Sequence, residues 1–78
     1  MAPVGRGSTR APETDGAAGA RVRARRREIG LTQQELAARV GVSRQTIISM
    51  ETGDYAPSVY LALRIGRELD TAVEELWG

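Results

Sequence analysis

Cysteine and histidine are both missing from this chain of 78 residues. Without cysteine there is no disulfide framework and no thiolate metal site. Without histidine the commonest general base and the commonest metal ligand are gone. Nucleotide-binding loops are missing too, so neither an enzyme nor a metal or cofactor is expected. Paired carboxylates exist in the composition, but nothing in the sequence arranges them into a catalytic site. No apolar run approaches the roughly 18 residues of a membrane span. Met1 is followed by no apolar signal segment, and a cytoplasmic protein is the expectation. Lysine is missing as well: all 11 basic residues are arginine. The length allows one small domain, with a core so limited that helix caps and close packing matter more than usual.

What is present is unevenly spread. From Ala17 to Arg44 there are seven arginines against Glu28 and Glu35, a net of +5. From Gln45 to Gly78 two arginines face six acids, a net of −4, while residues 1–16 balance at zero. One basic half and one acidic half fit an oriented encounter with a polyanion. An arginine-rich solvated surface fits the same numbers.

Residues 1–16 hold Pro3, Pro12 and three glycines with almost no apolar periodicity, which predicts a disordered arm. Five helices are predicted after it, over 17–78. The first spans about Ala17 to Ile29, with Ala18, Val22 and Ile29 on its apolar stripe and Arg26 pointing inward among them. Arg23 and Arg27 lie off the stripe. Gly30 ends the helix. Thr32-Gln33-Gln34-Glu35 is a capping box opening a short helix with Leu36, Ala37 and Val40 on one face. Gly41 turns the chain, Ser43 caps the next helix, and Val42 with Ile47 makes a hydrophobic staple. That helix runs over 43–52, ending at Gly53. Ser58 caps a fourth helix with Ala62, Ile65, Gly66 and Leu69 towards the core, and Val59 and Leu63 widening its apolar surface. Thr71-Ala72-Val73-Glu74 matches a second capping box, with Asp70 as the other candidate cap, before a short last helix carrying Val73, Leu76 and Trp77.

The segment GVSRQTIISMETG carries the chemistry. Two short helices joined by a glycine turn, the second with a polar outer face, form a helix-turn-helix. Ala37 is small where the helices cross. Val42, Ile47 and Met50 anchor the second helix from behind, and Glu51 shares that inner face. Arg44, Gln45, Ser49 and Thr52 then project outward, with Thr46 beside them. Arginine can bind guanine O6 and N7 in bidentate fashion, and glutamine can bind adenine N6 and N7, each pair giving about 1–3 kcal/mol of discrimination. Ile48, partly outward, could meet a thymine methyl or pack on the neighbouring loop.

LTQQELAARVGVSRQTIISMETG and YAPSVYLALRIGRELDTAVEELW resemble the Cro/repressor-type (Xre) helix-turn-helix regulators over about Val22 to Trp77. The resemblance implies an all-α, five-helix lambda-repressor-like DNA-binding domain and sequence-specific binding of double-stranded DNA. It implies base reading by Arg44, Gln45 and Ser49 and a phosphate contact by Gln33 at a helix N-terminus. An asparagine that binds phosphate in the family is replaced here by Thr52, which weakens that contact. The family's ion pair between the first helix and the recognition helix falls on Arg26 and Glu51, the two charged residues that periodicity turns inward. Family operators are usually two-fold, which implies a homodimer on half-sites about one turn apart, roughly 34–36 Å.

Other residues keep two readings. Arg23 and Arg27 either contact phosphate or are surface charge, and Thr46 and Thr52 join them as candidate phosphate contacts. Arg25 and Arg39 read as surface charge, and Tyr55 and Tyr60 as packing residues. Trp77 belongs either to the core or to a dimer seam. Glu68, Asp70, Glu74 and Glu75 form a solvated face away from DNA. The competing functional class is an antitoxin-like or other protein-interaction module on the same fold.

Overall fold

Periodic apolar residues separated by glycines and hydroxyl caps give short helices, and these are what form. The computed structural model describes residues 17–78. Among them all regular structure is helical: α1 (17–29), α2 (Gln33–Val40), α3 (Arg44–Glu51), α4 (Val59–Glu68) and α5 (Val73–Trp77). The expected arm, residues 1–16, lies outside the described residues. No described helix is long and apolar enough to cross a membrane.

The chain reverses after α1 through Gly30, whose φ is 87°. Gly30 N–H donates to Arg27 O at 3.1 Å and Leu31 N–H to Arg26 O at 3.0 Å, the paired bonds of a Schellman ending. This corrects the predicted stripe. Leu31, not Ile29, folds back under the helix: Leu31 is buried and Ile29 is 40% exposed. Thr32 then starts α2 with both halves of the capping box, Glu35 N–H to Thr32 Oγ1 at 3.0 Å and Thr32 N–H to Glu35 Oε1 at 2.8 Å. The Thr32 N–H bond, with the Thr32 hydroxyl and Arg39 nearby and against desolvation, holds the Glu35 carboxyl below its ordinary value.

Leu36, Ala37 and Val40 are buried from α2, Ile47 and Met50 from α3, and Leu61, Ile65 and Leu69 from α4 and its end. With Val22, Leu31 and Leu76 they make one cluster, against which Val42 and Trp77 pack. Burying one such aliphatic side chain contributes about 1.5–3 kcal/mol before chain entropy opposes it. Trp77 is therefore half core, as one of its two readings held.

Three expectations about the C-terminal half and its neighbours are corrected. Thr71 makes no cap: α5 starts after Ala72 with no side-chain cap bond. Thr71 Oγ1 instead donates to Leu69 O and accepts from Arg25 Nε, and Asp70, at φ 52°, serves the turn rather than the helix start. Tyr55 and Tyr60 are exposed by 41% and 69%, as are Val59 and Leu63, while Leu61 joins the core. Finally, Arg25 is no free surface charge. Its Nε donates to Leu69 O at 2.9 Å, and Arg21 Nη1 donates to Leu76 O at 2.9 Å. Two arginines one turn apart on α1 thus bind carbonyls at the ends of α4 and α5.

Candidate nucleic-acid interface

α3 is fixed at its start, its back and its end. Ser43 Oγ accepts from Thr46 N–H at 3.2 Å, which satisfies one of the donors a helix start leaves unpaired. Ile47 and Met50 are buried behind it. The turn into α3 uses Gly41 at φ 79°, and a Cβ there would meet only the Arg64 side chain, at 3.8 Å. The glycine is needed for its backbone angle and not for room. Asp54 N–H closes the far end on Ser49 O at 2.8 Å.

With its back anchored, α3 turns Arg44 and Gln45 fully outward in its first turn, with Thr46, Ile48 and Ser49 half-buried and Thr52 exposed at the end. Gln45 Nε2 donates to Ser49 Oγ at 3.4 Å, so two of the three expected base readers touch each other. Thr46 Oγ1 pairs with Ser43 Oγ at 2.9 Å. Thr52 Oγ1 lies 3.1 Å from Ser49 O and 3.2 Å from the Asp54 carboxylate, which makes its surroundings less suited to an anion.

Glu51 and Arg26 meet as the periodicity requires. Arg26 Nε donates to Glu51 Oε2 at 2.7 Å and Nη2 to Oε1 at 3.1 Å, and Nη1 donates to Leu31 O at 2.8 Å. Both residues are buried. Sequence reasoning missed the third partner: Gln33 Nε2 donates to Glu51 Oε1 at 3.2 Å. No local pattern joins residues 18 positions apart in different helices, so no signal for that bond exists in the sequence.

The pair forms the floor of an open hollow of about 340 Å³. Arg23 and Arg27 from α1, Thr32 and Gln33 at the start of α2, and Ile48 and Thr52 from α3 make its walls. Arg23 and Arg27 are exposed and sit one turn apart. Among the described residues their charges enter no ion pair; the three that form are Arg25–Glu28, Arg26–Glu51 and Arg39–Glu68. The arginines of α1 thus divide three ways: two bind carbonyls at the ends of α4 and α5, one is buried against Glu51, and two stand beside the α2 N-terminus, where unpaired N–H groups favour an anion.

A helix held from behind, a glycine turn before it and a basic hollow beside it define a helix-turn-helix of the kind that enters a DNA groove. Comparison with known proteins agrees. A helix-turn-helix family model matches residues 22–76. An uncharacterized HTH-type transcriptional regulator of Methanothermobacter thermautotrophicus is 62% identical over 48 residues, covering 62% of this chain and 70% of that protein. Another from Archaeoglobus fulgidus is 46% identical over 57 residues, 73% of this chain and 81% of the relative. Among solved structures, the restriction-modification controller protein C.AhdI from Aeromonas hydrophila superposes with a TM-score of 0.74 at 31% identity, covering 78% of this chain and 92% of that one. The clp gene regulator ClgR from Corynebacterium glutamicum gives a TM-score of 0.77 at 28% identity, with 81% and 67% covered. The chain belongs to the helix-turn-helix family of DNA-binding transcriptional regulators.

Proposed function

We propose that the chain is a non-enzymatic cytoplasmic regulator that reads a two-fold operator as a homodimer, with α3 in the major groove. Arg44, Gln45 and Ser49 contact base edges. Gln33, Arg23, Arg27 and Thr46 contact phosphates and set the register, which positions the helix without specifying sequence; the Asp54 carboxylate beside Thr52 leaves that residue at most a minor part in it. Arg26 and Glu51 stay structural to the extent that neither touches a base.

One observation carries this reading: Arg44 and Gln45 are exposed in the first turn of a helix whose opposite face is buried at Ile47, Met50 and Glu51. Long hydrogen-bonding side chains are aimed outward from a rigid support. The Arg23–Arg27 hollow supports the phosphate contacts, because its cationic lining stands beside the start of α2. For the dimer, the support is an exposed apolar strip on α4, where Val59, Tyr60 and Leu63 are 77%, 69% and 46% exposed.

Selection of duplexes from a random pool tests the proposal. Wild type enriches a two-fold motif, and Arg44→Ala relaxes the preference at one guanine per half-site. Enrichment of no motif by the wild type would refute base reading by α3.

A further inference from the structure

The hollow proposed to receive a DNA phosphate has a carboxylate in its floor. Alone, Glu51 would repel the ligand. Its two oxygens instead accept three N–H groups: Arg26 Nε, Arg26 Nη2 and Gln33 Nε2. Arg26 cancels the charge. The third bond does something else. A carboxylate only accepts, so it fixes the nitrogen end of the Gln33 carboxamide towards itself. A glutamine without that tie has several side-chain torsions and two amide orientations to order when DNA arrives.

We propose that Glu51 is a positioning residue for DNA binding: through its bond to one Nε2 N–H of Gln33 it holds that amide in one orientation at the wall of the hollow, leaving the second Nε2 N–H to donate to the phosphate. The inference rests on the phosphate role given to Gln33 above. α3 would then do two things with its two faces. Its outer face meets bases, and its inner carboxylate sets a backbone contact made by α2, so the register of one helix is tied to the other. Pre-ordering of this kind raises affinity by lowering what binding must immobilise.

A double-mutant cycle tests it. Glu51→Gln keeps the shape but replaces one acceptor oxygen by an NH2 group, and the remaining oxygen cannot serve three donors. Glu51→Gln, Gln33→Ala and the double variant are compared with wild type on the selected duplex, at a temperature where far-UV circular dichroism shows each folded. Gln33→Ala weakens binding about tenfold. Glu51→Gln weakens it about fivefold when Gln33 is present and not at all in the Gln33→Ala background. Equal losses in both backgrounds would overturn the proposal and leave Glu51 a purely structural residue. A Gln33→Ala variant that binds like wild type would remove the phosphate reading and the inference with it. The side-chain NH2 resonances of Gln33 in the free protein separate these cases. They lie away from free-glutamine positions in wild type and move to them in Glu51→Gln; unmoved resonances mean the tie does not position the amide.

Discussion

Glu51 is the residue on which three helices converge, through Arg26 of α1 and Gln33 of α2. A buried ion pair of this sort adds little net stability, since desolvation opposes the attraction, but removing one partner strands the other. Glu51→Ala leaves the Arg26 guanidinium buried without its carboxylate, at a cost of about 3–5 kcal/mol. In a domain this size each kcal/mol moves Tm by roughly 4–8 °C, so a thermal melt drops by more than about 10 °C. A melt unchanged from wild type would contradict the buried pair. Glu35 gives a pH prediction of known sign. Its folded carboxyl titrates below the ordinary 4.5 because Thr32 N–H and Oγ1 bond the ionised form. The stability it adds is therefore complete above about pH 4.5, and it is lost as pH falls through the lower folded value. Glu35→Gln, which removes the titrating group, makes acid unfolding below about pH 4.5 shallower; an unchanged pH profile would exclude Glu35 as its source.

At the scale of helices, the chain's caps and close contacts differ in how far sequence reveals them. Thr32, Ser43 and Ser58 all accept the expected backbone N–H, because a cap is a local event within four residues. Thr71 fits the same pattern and fails, since Arg25, 46 positions away, already binds its Oγ1. The inward turn of Arg26 and Glu51 is legible from period alone. The exposure of Ile29 is not, because periodicity cannot see that Gly30 reverses the chain and puts Leu31 in its place. Gly19 is another such case. A Cβ there would lie 2.5 Å from Met50 O and Glu51 O, so α1 presses on the last turn of α3 where no side chain fits. Gly19→Ala forces the two helices apart and costs about 1–3 kcal/mol, measured by denaturant midpoint. A midpoint within error of wild type would contradict that close approach.

Across the whole molecule, the charge asymmetry in the sequence becomes a division of labour, though not the one composition implied. Of the five arginines from Arg21 to Arg27, only Arg23 and Arg27 stand in the hollow as available cations; the others hold the fold together. Each of those two alanine variants lowers the slope of log K against log salt by about 0.9 per protomer, while Arg21→Ala and Arg25→Ala act on stability. Leu63 lies on the exposed strip of α4 and outside the core, so Leu63→Glu keeps the helical far-UV circular dichroism signal at low temperature and shifts sedimentation towards the monomer. An unchanged mass would move the dimer contact elsewhere. The central claim, that the outer face of α3 reads bases through Arg44, has a direct chemical test. Replacing the contacted guanine by 7-deazaguanine removes the N7 acceptor and leaves pairing intact. Wild type loses about tenfold in affinity and Arg44→Ala loses nothing further; equal losses for both proteins, or none for wild type at any guanine, would contradict the account.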